Sequence, residues 1–133
     1  RIGTGAYDTL KQRYGRQVIG IDFDEERVSS HIKQGRKVIH ADASDDDFWQ
    51  RGMTAPQQIN LGLLAMSHGA NLSAAKKISA FPRIGTLAAI AQYEDEIDPL
   101  KEAGVDLVLD IYAEAGAGFS DHVCQIIAPK KTI

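Results

Sequence analysis

A glycine and an acid near the start of the chain have the types and the spacing of a phosphate-and-ribose site. Arg1, Ile2 and Gly3 match the last three positions of a G-x-G-x-x-G loop if two further glycines precede them. In such a loop the third glycine lets a helix pack closely on a strand, and the helix N-terminus faces a phosphate. Asp22 comes 19 residues after Gly3, close to the spacing of about 20 at which an acid accepts the ribose hydroxyl protons. The alternatives are an ordinary glycine turn and a surface acid at a strand end.

The ends of later apolar runs supply further candidate contacts. Asp42 and Ala43 follow the second run, where Ala43 is small enough to admit an adenine ring and Asp42 can accept from its amino group. Met66 and Ser67 follow the third run, next to His68, and would lie near phosphates or a second ligand moiety. Asp42 equally fits the approach to the next helix, and His68 equally fits an ordinary loop histidine.

The sequence offers no catalytic or metal-binding set of its own. Tyr7 and Lys11 match the Y-x-x-x-K pair of short-chain dehydrogenases, but on the phosphate-loop helix they are wrongly located for hydride chemistry. Asp121, His122 and Cys124 do not share one helix face well. A single cysteine excludes a disulfide framework and a multi-cysteine zinc site.

Short apolar runs alternate with helical patterns along the whole chain. Runs without polar alternation are typical of strands covered on both faces, and their alternation with helices favours a doubly wound parallel sheet. The runs cover 17–22, 37–42, 59–67, 86–91 and 105–111, and the helical patterns cover 4–14, 25–33, 45–52, 71–80, 94–103 and 118–127. The predicted fold class is α/β, with residues 1–133 in one domain.

Local signals predict how several of these elements begin, end and pack. Ser44 is the expected N-cap of the third helix, and Asn71 is expected to open the fourth. Gly104 is the expected residue after the end of the fifth helix. Residues 112–118 are predicted to form a small-residue connector, and Ile32 is predicted to face the core with Val28.

The chain opens with a helical pattern, whereas a doubly wound fold has its first strand at the centre of the sheet. We therefore expect this strand upstream of Arg1, which makes the domain N-terminally incomplete. Without that strand, neighbouring backbone groups would lose their partners, at about 1–3 kcal/mol each when buried.

Composition and charge narrow the class of protein. Hydrophobic residues make up 44% and charged residues 25% of the chain, which is typical of a globular domain and excludes a disordered tail. The net charge is −3, and the acidic excess lies in the C-terminal half, where nine acids and one lysine occur between Glu94 and Asp121. Such a surface repels phosphate backbones, so no nucleic-acid partner is expected.

These motifs, taken in order, resemble the TrkA-N family, which is the N-terminal domain of regulators of potassium conductance (RCK or KTN domains). The resembling segments are R-I-G at 1–3, V-I-G-I-D-F-D at 18–24, V-I-H-A-D-A-S-D at 38–45, L-L-A-M at 63–66 with Asn71, and A-G-V-D-L-V-L at 103–109. Within the family the chain is most similar to the cytosolic domains of Kef-type, glutathione-regulated potassium-efflux systems, judged on 90–95 and 112–119.

The resemblance implies a regulatory domain with a Rossmann-like fold and not an enzyme. It implies that the domain binds AMP or NAD(H) and gates a potassium efflux transporter that works by potassium/proton antiport. The implied partners are a membrane-embedded transporter domain at the cytoplasmic face of the inner membrane and a second copy of the chain. The helix after the last strand would cross to that second copy.

The resemblance also implies which residues contact the nucleotide. They are Arg1, Ile2 and Gly3 in the loop, Asp22 and Phe23 at the ribose, Asp42 and Ala43 at the adenine edge, and Met66 and Ser67 beyond the third strand. His40 and Ala41 depart from the residues usual in the family, which leaves the adenine contacts open.

Two other functions compete with this interpretation. One is a free-standing NAD-dependent oxidoreductase domain, and the other is a purely structural oligomerisation module. A hydride-transfer enzyme needs a substrate domain and a proton donor, which 133 residues do not supply. In the regulatory interpretation, the charge of Asp22 would repel a 2′-phosphate, so NADP is disfavoured.

Overall fold

Helices and strands alternate along the chain, as the sequence predicts. The computed structural model describes residues 2–15, 18–52, 59–80 and 84–127. The helices are α1 (Ile2–Tyr14), α2 (Glu25–Lys33), α3 (Asp46–Gly52), α4 (His68–Ser79), α5 (Ile97–Glu102) and α6 (Ile111–Ile127), with a 3₁₀ turn over Glu94–Glu96 before α5. The strands are β1 (Gly20–Asp22), β2 (Val38–His40), β3 (Ile59–Leu64), β4 (Ile84–Ala91) and β5 (Leu107–Asp110).

The strands form two parallel sheets in the described part of the chain. β1 pairs with β2, with Gly20 opposite Val38. β4 is the centre of the second sheet, with β3 and β5 on either side. Leu63, Ala88 and Leu107 lie side by side across that sheet. All pairings are parallel, as predicted for an α/β fold in which helices connect successive strands.

The hydrophobic core lies between one face of the three-stranded sheet and helices α4 and α5. Successive strand residues point to opposite faces, so every second side chain enters this core. The buried members are Leu64, Leu87, Ala89 and Ala91 of the sheet, Ala74, Ala75 and Ile78 of α4, Leu100 of α5, Val105, and Trp49 of α3. Trp49 joins α3 to the core, and its indole Nε1–H donates to the Ala43 carbonyl oxygen at 2.6 Å. This contact positions the segment that follows β2.

The turn after α5 depends on Gly104, as predicted. Its φ of +108° lies in the region that favours glycine, and a Cβ there would collide with the Ser79 hydroxyl oxygen. Its N–H donates to the Lys101 carbonyl at 3.1 Å, which closes the helix end.

Asp106 then joins β5 to β4. Its carboxylate accepts the Leu87 N–H at 2.8 Å, and its own N–H donates to the Leu87 carbonyl at 2.8 Å. The A-G-V-D segment thus contributes a helix end and a strand junction.

The predicted N-cap of the third helix is wrong. α3 begins at Asp46, and Asp45 accepts the Asp47 N–H at 3.0 Å in place of the predicted Ser44. Ser44 is instead held by Asp42, which accepts its hydroxyl at 2.6 Å. Asp45 therefore takes the capping role predicted for Ser44, whose hydroxyl is engaged by Asp42.

α4 begins at His68, three residues before the predicted start at Asn71. The N-cap is Ser67, whose hydroxyl oxygen accepts the Ala70 N–H at 3.4 Å. The asparagine signal was misread because the Asn71 side chain is buried in the protein rather than capping the helix.

The predicted connector over 112–118 is helical, because α6 already begins at Ile111. Asp110 starts this helix by accepting the Ala113 N–H at 3.0 Å. Ala113, Ala115 and Ala117 have the highest helix propensity, which favours the helix despite a cost of about 1 kcal/mol for each of Gly116 and Gly118. The packing prediction for α2 is half right, because Val28 is buried and Ile32 is exposed.

One edge of β1 has no strand partner among the described residues. Gly20 donates its N–H to the Lys37 carbonyl at 2.9 Å, and the Asp22 carbonyl accepts the Ala41 N–H at 3.0 Å. Alternate residues of a parallel strand bond to opposite sides, so the N–H of Ile21 points away from β2.

We expect the Ile21 amide to exchange with solvent about tenfold faster, or more, than the Gly20 amide in this chain, because only the latter is held by a neighbouring strand. Hydrogen–deuterium exchange followed by NMR measures both sites in one sample. Equal protection of the two amides would contradict the open edge.

Candidate functional site

Three predicted site segments lie at the carboxyl ends of strands. Asp22 ends β1, Asp42–Ala43 follow β2, and Met66–Ser67 follow β3. The start of α1 reaches the same edge, because a Cβ built on Gly3 would lie 3.7 Å from the Cβ of Ala65, just after β3. The structure therefore brings the predicted phosphate end of α1 to the edge where open parallel sheets bind ligands.

The start of α1 is less crowded than the glycine fingerprint predicts. A methyl group at Gly3 would make only ordinary van der Waals contact with Ala65, so packing against the described residues does not by itself require glycine. Ile2 is the first described residue and is exposed, and Arg1 lies outside the described residues. The N–H groups of the first helical turn have no intrahelical acceptor, which suits them to an anion.

Asp22 is held by Arg27 and by the chain that follows β1. The Arg27 guanidinium donates to both carboxylate oxygens, Nε to Oδ2 at 3.0 Å and Nη2 to Oδ1 at 3.0 Å. The Asp24 N–H adds a third hydrogen bond, to Oδ1 at 2.9 Å. Burial, the largest influence, opposes ionisation, but the hydrogen bonds from Arg27 and Asp24 outweigh it and hold the pKa of Asp22 below its usual value.

Phe23 follows Asp22 and is exposed beside this ion pair. The Arg27 guanidinium lies 5.3 Å from the centre of its ring, within the range of a cation–π contact. His40 donates from Nε2 to the Phe23 carbonyl at 2.9 Å. His40, one of the departures from the family pattern, therefore holds the backbone at the predicted ribose position.

Asp42 and Ala43 are engaged with their own segment. Asp42 Oδ1 accepts both the Ser44 hydroxyl and the Ser44 N–H, and these two hydrogen bonds lower the pKa of its carboxyl. The Ala43 carbonyl accepts the Trp49 indole N–H. Asp42 is exposed, so its ionised carboxylate remains reachable at the predicted adenine edge.

The segment after β3 is built around Asn71, whose side chain is fully buried. Its Oδ1 accepts the Met66 N–H at 2.9 Å, and its Nδ2 donates to the Ile90 carbonyl at 3.2 Å. Met66 packs against the core, and Ser67 is the N-cap of α4. In this structure both predicted contact residues therefore have structural roles, with Ser67 exposed at the surface.

Sequence reasoning missed two residues at this edge, Arg27 and Glu96. Glu96 Oε1 accepts the Gln92 N–H at 2.8 Å just after β4, and Oε2 lies 4.0 Å from Nδ1 of His68. Arg27 was detectable as a cation in the first turn of α2, five residues after the predicted ribose acid Asp22. No comparable sequence signal links Glu96 to His68, because they are 28 residues apart and meet only through the pairing of β3 with β4.

Comparison with known families identifies the chain. The model of the TrkA-N domain matches residues 1–111. The chain belongs to the TrkA-N domain family. This confirms the resemblance stated from the motifs, and the match ends where α6 begins. No curated protein matches the chain by sequence.

Solved structures share the fold of this TrkA-N domain. The NAD(P)-binding domain of an exopolyphosphatase-related protein from Archaeoglobus fulgidus has a TM-score of 0.81 at 19% identity, covering 93% of this chain and 91% of that one. The TrkA-N domain of inner membrane protein ybaL from Escherichia coli has a TM-score of 0.70 at 17% identity, covering 91% and 88%. The GsuK channel bound to NAD has a TM-score of 0.68 at 13% identity, covering 82% of this chain and 20% of its own. These likenesses confirm the Rossmann-like fold.

Two further properties concern the described ranges only. No helix there combines the length and apolar character needed to cross a bilayer. No three His, Cys, Asp or Glu side chains converge there in a way that would hold a metal ion.

The ion pair of Asp22 makes the stability of the TrkA-N domain depend on pH. The folded pKa of Asp22 lies below the ordinary aspartate value of 3.8, so the stabilisation by its ionised form is present above that pH and is lost as pH falls through the folded pKa. We therefore expect Asp22→Asn to lower the free energy of unfolding near neutral pH. The difference in this free energy between the variant and the original chain should become smaller below about pH 4.

Urea unfolding followed by circular dichroism across this pH range measures the difference. Asp121→Asn, exposed on α6, is the matched control for loss of one carboxylate. If the free energy of unfolding of Asp22→Asn stays lower than that of the original chain by the same amount down to acid pH, the pH dependence does not come from the Asp22 ion pair.

Proposed function

We propose that this TrkA-N domain binds an adenine nucleotide at the carboxyl edge of its strands and thereby regulates a membrane potassium transporter. The observation that carries the proposal is the position of Asp22, an acid kept ionised at the end of β1. The start of α1 lies at the same edge, next to the end of β3. One feature accepts ribose hydroxyls and the other faces a phosphate.

The polar groups at this edge fit an adenine nucleotide. Asp22 Oδ2 accepts one hydrogen bond from the described residues, from Arg27 Nε–H, and can accept a second from a ribose hydroxyl. The exposed ring of Phe23 and the exposed carboxylate of Asp42 flank the expected path of the nucleoside. The GsuK channel, similar in fold, has been solved bound to NAD and to ADP. AMP and NAD(H) are the proposed ligands, with AMP favoured by the Kef-like motifs.

The proposed role is regulatory rather than catalytic. Membership of the TrkA-N family and likeness to a channel and to an inner membrane protein support a regulatory domain of a potassium transport system. The Kef-like motifs at 90–95 and 112–119 are the basis for proposing that the transport is potassium efflux by potassium/proton antiport. The domain would then act at the cytoplasmic face of the inner membrane, joined to a membrane-embedded transporter. The chain covers about a fifth of the NAD-bound GsuK chain, so such a transporter would belong to other parts of a larger assembly.

Isothermal titration calorimetry with AMP, ADP and NAD tests the ligand proposal. We expect Asp22→Ala to weaken binding of each nucleotide by about 1.5–3 kcal/mol, roughly 10–150-fold in Kd, because a charge-assisted hydrogen bond to the ribose is lost. Asp8→Ala is the matched control, since it removes the equivalent carboxylate of a second ion pair, with Arg36, on the side where β2 begins. Unchanged affinity after Asp22→Ala would contradict the ribose role, and absence of any binding would refute the nucleotide proposal.

Two apolar surfaces on the chain support the proposed homodimer. On the sheet face opposite the core, Leu61, Leu63, Leu107 and Leu109 are all exposed, Leu107 at 60%. α6 buries none of its residues, and Phe119 is 71% exposed. We propose that α6 of one copy covers this sheet face of the other in a symmetric pair, because each surface supplies what the other needs. Burying four such side chains is worth about 1.5–3 kcal/mol each, enough to offset a modest association cost.

Analytical ultracentrifugation tests the dimer at tens of micromolar, on the order of a moderate interface affinity. We expect the chain to sediment as a dimer, and Phe119→Asp and Leu107→Asp each to shift it to monomer. Lys76→Asp, exposed on α4, changes charge away from both apolar surfaces and should leave the dimer intact. A monomeric original chain, or dimers in all three variants, would contradict the exchange of α6.

We also propose that the complete domain contains one more parallel strand, preceding Arg1, beside the open edges of β1 and β3. The support is that each of these strands has a single strand partner among the described residues. In a chain extended by its preceding residues, the Ile21 amide would become protected, whereas persistent fast exchange would argue against the strand.

A further inference from the structure

Arg27 and Asp22 form a bidentate ion pair at the centre of the proposed ribose site. Nε and Nη2 of Arg27 donate to the two carboxylate oxygens at 3.0 Å each, and Nε also lies 3.3 Å from Oδ1. The Phe23 ring lies against the guanidinium at 5.3 Å. The arginine is therefore fixed by a carboxylate and an aromatic ring, and still has more than a third of its side chain exposed.

This pairing changes what Asp22 offers to a ribose. Oδ1 already accepts from Asp24 and twice from Arg27, whereas Oδ2 accepts only the Arg27 Nε–H in the described structure. A carboxylate oxygen has two lone pairs in its plane, so only Oδ2 has room for a ribose hydroxyl. Acceptance of both hydroxyls by Asp22, as the sequence predicts for a free acid, would require Arg27 to move.

The ion pair of Arg27 and Asp22 also changes how the site interacts with a phosphate. A free Asp22 would repel a 2′-phosphate, whereas a guanidinium bound to both of its oxygens offsets that charge. The Asp24 carboxylate, with Oδ2 3.9 Å from Arg27 Nε, leaves the group of three side chains with one net negative charge. Arg27 keeps two N–H groups on Nη1 and one on Nη2 that the carboxylate does not use. A planar guanidinium with such donors is well suited to a phosphate.

We propose that Arg27 is a specificity-determining residue for the 2′-oxygen of the ribose. This proposal rests on the proposed nucleotide site. While Asp22 is present it holds Arg27, and the site takes a 2′-hydroxyl. Removing the Asp22 carboxylate frees both nitrogens that it held and leaves Asp24 Oδ2, 3.9 Å from Nε, as the remaining acidic neighbour of Arg27. The Nη1 and Nη2 donors then bind a 2′-phosphate. Removing the arginine instead leaves the bare acid, which excludes a 2′-phosphate more strictly than the original site does.

Calorimetry with AMP and adenosine 2′,5′-bisphosphate tests this, because the two ligands differ only by the 2′-phosphate. We expect Asp22→Ser to raise the affinity for the bisphosphate relative to AMP by about tenfold or more, and Arg27→Met to lower that ratio several-fold. The double variant Asp22→Ser, Arg27→Met should lose the gain made by Asp22→Ser. Circular dichroism verifies that each variant is folded.

The arginine–aspartate pair of Arg36 and Asp8 provides the control. Arg36 binds both carboxylate oxygens of Asp8 at 2.9 and 3.1 Å, away from the proposed site, so Arg36→Met should leave the ratio unchanged. If the affinity for the bisphosphate relative to AMP does not rise in Asp22→Ser, or rises equally in the double variant, the role of Arg27 is overturned. AMP binding by the original chain would still support the nucleotide site in that case. No binding of either ligand to the original chain overturns both proposals.

Discussion

The fully buried amide of Asn71 fixes the edge on which the rest of the site depends. It accepts the N–H of Met66, just after β3, and donates to the Ile90 carbonyl near the end of β4. An unpaired buried polar group costs about 1–3 kcal/mol, so these partners hold the strand ends and the first turn of α4 in one arrangement. Ser67 can then cap α4, and the start of α1 packs beside Ala65 at the same edge.

Two ion pairs of the same chemistry lie in different settings in this domain. Arg36 binds Asp8 of α1 next to Lys37, whose N–H donates to the Tyr7 hydroxyl, so that pair fastens α1 to the start of β2. Arg27 binds Asp22 at the end of β1, within five residues of chain. The pair of Arg36 and Asp8 joins separate elements, whereas the pair of Arg27 and Asp22 is local and sets the charge at a strand end. This difference is why we connect only the pair of Arg27 and Asp22 with ligand selection.

The uncovered apolar surfaces have a common physical origin. The core face of the three-stranded sheet is filled by α4 and α5, but the opposite face presents Leu63 and Leu107 to solvent. α6 continues directly from β5 and contacts it where the two elements join. These two exposed apolar surfaces are the observation on which the proposed pairing of two copies rests.

The sequence by itself determined the α/β class, the order of the elements and the positions of Asp22 and Gly104, because apolar runs, spacing and glycine conformation are local properties. It did not determine that Ser44 would be held by Asp42, that residues 112–118 would be helical, or that Asn71 would be buried between two strands. Those outcomes depend on competition among neighbouring polar groups and on contacts between residues distant in sequence. The pairing of Asp22 with Arg27 lies between these cases: the residues are close in sequence, but only the tertiary structure decided that the guanidinium occupies both carboxylate oxygens, because a helix had to be positioned against a strand end.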